Sequence, residues 1–268
     1  MIAVATNADN EAAVRARLEA GGASSIDVLT LSSDRSVVTA ELADEWAVEP
    51  LATALRAEGL LATSRPRKGA ARDRWFENTR PLTFRDRVTI CPAWSAHDRA
   101  SLPGLIELGP GGFGNGQHPT TRLVVEELVD RIRGGERVLD VGCGSGVLAL
   151  CALELGASHA VGVDLMADAV AGTIRNASIN GVHDRLEATD APLETIDTTF
   201  DVVVANIARA GIVELADQLI AKVAVGGWLA LSGITPSQCA QVTGFLRPLV
   251  EVDRRVDGGW SVLVLERT

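Results

Sequence analysis

The run Asp140-Val141-Gly142-Cys143-Gly144-Ser145-Gly146 has the residue types and spacing to hold a ligand, and Asp164 and Asn206 downstream extend it. Three glycines at alternate positions let a strand-to-helix turn pass tightly beneath a ligand with no Cβ atom in the way. A helix opening just after Gly146 presents its N-terminal amides, which suits a carboxylate. Asp164 lies 22 residues beyond Gly142. There an acid at the end of the next strand can accept both hydroxyls of a ribose. Asn206 ends a later strand on the same rim, where its side chain can accept from an amine and donate to a ligand.

Two cofactor classes use such a turn. The dinucleotide fingerprint is G-x-G-x-x-G, but here the third glycine falls one residue early, at Gly146, and position 147 is Val. Asp140 adds a carboxylate near the place a diphosphate would occupy. It would repel that group, yet it can sit beside a cationic sulfonium or accept from an ammonium. These features favour S-adenosylmethionine over NAD. Asp190, after Leu186–Thr189, could reach an adenine edge, or serve only as a turn residue before Pro192.

The elements that position these residues follow from periodicity. A helix over 120–133 precedes strand 137–142, helix 146–156, strand 159–164 and helix 167–180. Strands 185–189 and 200–206, helix 211–223, strand 227–233 and a helix near 236–247 come next. Leu249–Val256, the turn Asp257-Gly258-Gly259 and Trp260–Glu266 read as a closing hairpin, with the last strand antiparallel to its neighbour. This is an α/β chain with a doubly wound, Rossmann-like sheet.

Ahead of it, a small α+β unit reads strand-helix-strand-strand-helix-strand, the ferredoxin-like split order. Its expected pieces are Ile2–Thr6, a helix capped by Asn7 or Asp9, Ile26–Leu31, Ser36–Leu42, a helix from Pro50 to Gly59, and Leu61–Ser64. The expected domains are 1–64 for recognition, 65–108 as linker and connector, and 109–268 for catalysis. Within the connector only Val88–Cys91 reads as a strand. Arg65–Arg87 is rich in arginine and is either a solvated linker or a docking surface.

The chain has 268 residues, 47% of them apolar, and a net charge of −10. So acidic a protein gains nothing overall from a polyanion, which argues against direct nucleic-acid binding and leaves a basic protein partner compatible. No apolar run is long enough to span a bilayer, and the start lacks a signal-peptide pattern, so no membrane association and a cytoplasmic location are expected. Cys91, Cys143, Cys151 and Cys239 have neither metal-ligand nor disulfide spacing, so no metal is expected.

With these residues in view, the sequence resembles the ribosomal protein L11 methyltransferase family (PrmA). The most specific segment is Phe113-Gly114-Asn115-Gly116-Gln117-His118-Pro119-Thr120-Thr121, similar to the family's FGTG-x-H-x-TT signature. Val138–Ala149, the run Val203–Ile207 with Leu231–Ile234, and Glu77–Trp94 are also similar to it. The resemblance implies S-adenosylmethionine contacts at Thr121, Gly142, Asp164 and Asn206, with Thr121 opening a helix. It implies a Gly109–Gly116 loop that folds over the cofactor. It further implies N-methylation of lysine or amino groups of a large-subunit ribosomal protein, held by the N-terminal domain.

The chain departs from the family in two places. Asn115 replaces the Thr of the signature, and Ala208-Arg209-Ala210-Gly211 replaces a small, Pro-containing segment, which puts a fixed charge near the acceptor. His118 reads as a capping residue or a base. A small-molecule methyltransferase and a non-catalytic cofactor-binding module stand as alternatives.

Overall fold

The computed structural model describes residues 2–32, 34–42, 48–64, 80–93, 98–109, 114 and 116–268. Residues 65–79, most of the arginine-rich stretch, and 110–113 and 115 of the glycine loop lie outside the described residues. The chain divides into two compact units. One is Met1–Arg80 with Cys91–Asp98 and Gly109–Gly111; the other is Pro81–Ile90, Arg99–Leu108 and Gly112–Thr268.

The smaller unit contains β1 (Ile2–Asn7), α1 (Glu11–Ala20), β2 (Ala23–Ser32), β3 (Arg35–Leu42), α2 (Val48–Ala57) and β4 (Leu61–Ser64). Its sheet runs β2-β3-β1-β4 with antiparallel neighbours, the order of a split β-α-β unit. Strand alternation turns Ile2, Val4, Val38, Ala40 and Ala62 inward, against Val14 and Leu18 of α1 and Ala52 and Leu55 of α2. Asn7 is the residue that caps: its side chain accepts from the Asn10 amide at 2.9 Å, on a short 3-10 turn that runs into α1. The second helix begins at Val48, two residues ahead of Pro50.

A three-stranded sheet follows, of β5 (Leu82–Phe84), β6 (Val88–Pro92) and β7 (Leu105–Leu108); β5, β7 and Val88–Ile90 of β6 fall in the larger unit. The sequence suggested one strand there. Phe84, Val88, Ile90, Ile106 and Leu108 belong to the unit's main core, so this region is packed structure rather than bare linker.

The main sheet follows: α3 (Pro119–Arg131), β8 (Arg137–Val141), α4 (Val147–Glu154), β9 (His159–Val163), α5 (Ala167–Ile179), β10 (Leu186–Thr189), β11 (Phe200–Asn206), α6 (Arg209–Glu214), α7 (Ala216–Lys222), β12 (Val223–Ile234), α8 (Cys239–Phe245), β13 (Val250–Asp257) and β14 (Trp260–Glu266). Its order is β10-β9-β8-β11-β12-β14-β13. The first five strands in that order are parallel, and β14 is antiparallel to both β12 and β13. Alternation feeds two cores: Val202 and Val204 of β11 join one, Val203 and Ala205 the other. A sheet covered on both faces reads as continuous apolar strands, which these are.

Three expected elements are corrected. The helix over 211–223 starts earlier and breaks at Leu215 into α6 and α7, and β12 begins at Val223. The helix near 236–247 is a 3-10 turn, Pro236–Gln238, followed by α8. Thr235 and Gln238 form a reciprocal capping box there, and Pro236 opens the turn. The helix that carries Thr121 starts at Pro119, and its cap is His118, not Thr121.

Candidate cofactor and active site

Register decides what meets at the carboxyl edge of the parallel strands. Val163 pairs with both Val141 and Thr189, and Val141 pairs with Ala205. The next residue on each strand therefore falls in one row: Gly142, Asp164, Asp190 and Asn206. Open α/β sheets bind ligands at this edge.

The turn after β8 is built from backbone no other residue type adopts freely. Gly142, Gly144 and Gly146 all have positive φ, at 76°, 57° and 77°. A Cβ on Gly142 would lie 2.3 Å from Ile207 Cγ2, and one on Gly146 would lie 2.7 Å from Thr173 Cγ2. Asp164 holds the turn from the neighbouring strand. Its Oδ2 accepts from the Gly144 amide and its Oδ1 from the Met166 amide, each at 3.0 Å. Each carboxylate oxygen keeps further acceptor capacity. Asp190 is exposed just past β10.

Asp140 sits under the turn rather than beside it. It is 0% exposed, and its Oδ2 accepts from the Ala149 amide at 3.3 Å. Gly146, at the N-cap of α4, has no side chain to satisfy the first amides, so Asp140 does this work from the strand below. Its Oδ1 is buried and has no hydrogen-bond partner among the described residues. Burial pushes the carboxyl up to about 7, opposed by the Ala149 hydrogen bond and reinforced by the charge of Asp164.

A pH dependence follows. Unfolded, Asp140 releases its proton near its ordinary value of 3.8, whereas folded it keeps the proton to about 7. Between those values the native state binds more protons, so stability falls as pH rises and the penalty is complete above about 7. In thermal melts, Asp140→Asn, which keeps the shape and the acceptor, is expected to gain on the parent steadily from pH 4 to pH 7. Parallel stability curves for the two proteins would show that Asp140 ionises normally.

Thr121 and Asn206, 85 residues apart, meet directly: Asn206 Nδ2 donates to Thr121 Oγ1 at 3.2 Å. Thr121 is 2% exposed. Its helix is anchored at the start by the β13–β14 hairpin, through an Arg122–Asp257 ion pair and a His118–Trp260 edge contact with ring centroids 5.3 Å apart. Further along α3, fully buried Glu127 pairs with Arg255 at 2.7 Å and Arg131 at 2.9 Å. His118 Nδ1 accepts from the Thr120 amide at 3.3 Å, which makes it a cap. Arg209 donates to Gln241 of α8 at 3.1 Å.

The structure thus joins Thr121 to Asn206 and Asp164 to Gly144, and it sets Asp140 beneath both Gly146 and α4. Sequence reasoning missed Thr173 and Asn176 of α5, whose side chains donate to the turn carbonyls of Gly144 and Ser145. Their one signal was a polar pair at helical spacing on the helix that follows the strand of Asp164. Cys143 lies in the turn, but burial pushes its thiol up to about 12, which keeps it from acting as a thiolate. Among the described residues no group of His, Cys, Asp and Glu could hold a metal ion.

Counted from β8, the sheet order is 3-2-1-4-5-7-6 with one antiparallel strand. With a glycine turn after its first strand and an acid after its second, this is the Rossmann-like methyltransferase fold. The chain belongs to the ribosomal protein L11 methyltransferase (PrmA) family, which it matches over residues 1–268.

It is 45% identical over 197 residues to the ribosomal protein L11 methyltransferase of Geobacter sulfurreducens, covering 71% of this chain and 64% of that one. Against the protein of the same name from Shewanella halifaxensis the identity is 39% over 180 residues, 67% of this chain and 61% of the relative. The chain therefore spans just under two thirds of the length of these relatives. A crystal structure of ribosomal protein L11 methylase from Lactobacillus delbrueckii subsp. bulgaricus superposes with a TM-score of 0.65 at 27% identity. It covers 71% of this chain and all of that one.

Proposed function

We propose that this chain is an S-adenosylmethionine-dependent methyltransferase that N-methylates lysine or amino groups of a large-subunit ribosomal protein. The observation that carries the reading is the row of Gly142, Asp164 and Asn206 at one sheet edge, with Thr121 bonded to Asn206. The residues present fit the cofactor. The glycines let the turn pack against Ile207 and Thr173 with no Cβ clash, Asp164 has acceptor capacity for ribose hydroxyls, and the buried, unpartnered Asp140 Oδ1 suits a cationic donor such as an ammonium.

In this reading Gly142, Gly144 and Gly146 cradle the methionine end of the cofactor over Asp140, Asp164 holds the ribose, and Thr121 and Asn206 flank the reacting centre. When bound, S-adenosylmethionine supplies an electrophilic methyl group on a cationic sulfur. Asn206 gives one of its two Nδ2 hydrogens to Thr121, which orients the carboxamide, and its Oδ1 is the atom that can accept from the incoming amine and aim its lone pair. Holding the reactants in line at about 3–3.5 Å can supply most of the acceleration. A lysine amine has an ordinary pKa of about 10.4. Desolvation at the site lowers it, so neutral Asn206 and Thr121 suffice without a strong base.

Residues 1–64 serve as the recognition domain, 65–108 as the connector and 109–268 as the catalytic domain. The acidic charge suits a basic protein partner rather than nucleic acid or membrane, and the cytoplasm, where ribosomes work, is the proposed location. No helix among the described residues is long and apolar enough to cross a membrane.

Asn206→Ala tests the assignment. It is expected to lower kcat about a hundredfold, the scale of a misaligned attack, while cofactor affinity changes much less. An unchanged kcat in single-turnover assays with ribosomal proteins as acceptor would remove Asn206 from the reacting centre.

A further inference from the structure

One face of α5 carries Thr173, Asn176 and, at its C-cap, Asn180, spaced three and four residues apart so that they stack in a stripe. Thr173 and Asn176 are buried, at 0% and 2% exposure. Each binds a different carbonyl of the glycine turn. Thr173 Oγ1 donates to Gly144 O at 3.2 Å, and Asn176 Nδ2 to Ser145 O at 2.8 Å. Asn180 turns to another strand: its Oδ1 accepts from the Glu107 amide and its Nδ2 donates to Glu107 O, both at 2.8 Å. Its Nδ2 also donates to the backbone carbonyl of Asn176 at 2.7 Å, away from the turn.

A turn with three glycines at positive φ has little conformational preference of its own, because glycine peptides rotate at low steric cost. In a trans peptide the C=O and the following N–H point in opposite directions. Fixing Gly144 O and Ser145 O on α5 therefore directs the Ser145 and Gly146 amides away from that helix. The Gly146 amide then meets Cys143 O at 2.8 Å, which closes the turn. Burial strengthens the dependence, since an amide donor removed there leaves a carbonyl without its partner.

We propose that Asn176 is a positioning residue for the cofactor: acting through the Ser145 carbonyl, it holds the glycine turn in its ligand-ready form, with Thr173 as its companion. This rests on the S-adenosylmethionine reading above. Asn176→Asp keeps the shape but replaces the donor with an oxygen facing Ser145 O. Thr173→Val removes the other donor with little change in volume. Both are measured in the full chain by calorimetry with S-adenosylhomocysteine, by steady-state kinetics with purified ribosomal proteins, and by thermal melts.

The expected result is a Kd for S-adenosylhomocysteine and a KM for S-adenosylmethionine raised at least tenfold, with kcat within about twofold of the parent. Asn180→Asp, on the same stripe but bonded to β7, is expected to lower Tm and leave Kd within about twofold. If both turn-facing variants show parental Kd and only a lower Tm, the stripe is merely structural and the proposal fails. If the parent protein binds no S-adenosylhomocysteine, the cofactor reading falls as well.

Discussion

Asp164→Ala is expected to raise the Kd for S-adenosylmethionine by about a hundredfold or more with the fold retained. Its carboxylate accepts from the turn at Gly144 and from Met166, and it keeps acceptor capacity for the proposed ribose hydroxyls. A hydrogen bond to a charged acceptor is worth about 1.5–3 kcal/mol, and two ribose hydroxyls would each make one. Losing both removes about 3–6 kcal/mol, of which a hundredfold is the lower end. The Gly144 amide also loses its partner, so the turn loosens where the ligand presses on it. Asp164→Asn, which keeps one acceptor oxygen and loses the charge, should fall between. Calorimetry on the three proteins checks this, and equal affinities would place the ribose elsewhere.

Gly233→Ala is expected to destabilise the protein by about 3 kcal/mol, combining left-handed backbone strain with overpacking. Gly233 has φ +87°, and a Cβ there would lie 2.2 Å from the carbonyl oxygen of Ile207, which is backbone and cannot swing aside. The position falls where the pairing of β12 with β14 shifts register, between Leu231 and Ile234. Ile207 directly follows Asn206, and its Cγ2 already lies where a Cβ on Gly142 would go. Relief of the clash therefore moves the acceptor residue and the turn together. A drop in Tm on the order of 8 °C should come with a fall in kcat. A variant with parental Tm and kcat would mean that the strand absorbs the methyl group without moving Ile207.

Much of this arrangement is legible in the sequence because the parallel strands are short, apolar and separated by glycine or charge. Trp260–Glu266 and Leu61–Ser64 are bounded as expected, and Gly142, Asp164 and Asn206 reach one edge because each ends or directly follows a parallel strand. Other features carry no local signal. β5 and β7 are three and four residues long, and the β5–β6 turn places Arg85 and Asp86, not glycine, at positive φ. The break at Leu215 interrupts a continuous apolar pattern.

Two residues invert their usual reading. Thr173 and Asn176 look like surface residues of an amphipathic helix, yet they are buried because turn carbonyls, not apolar side chains, face them. Asp140 is visible as a carboxylate near the cofactor turn. Its full burial under α4, where it accepts from the Ala149 amide, is a tertiary consequence that residue type alone does not display.

The most direct test of the central claim is transfer of labelled methyl groups from S-adenosylmethionine into purified ribosomal proteins, with Asp164→Ala in parallel. The predicted result is label in one large-subunit ribosomal protein, on lysine or amino nitrogen by mass spectrometry, and none with the variant. Label confined to small metabolites, or no label despite measurable cofactor binding, would contradict it.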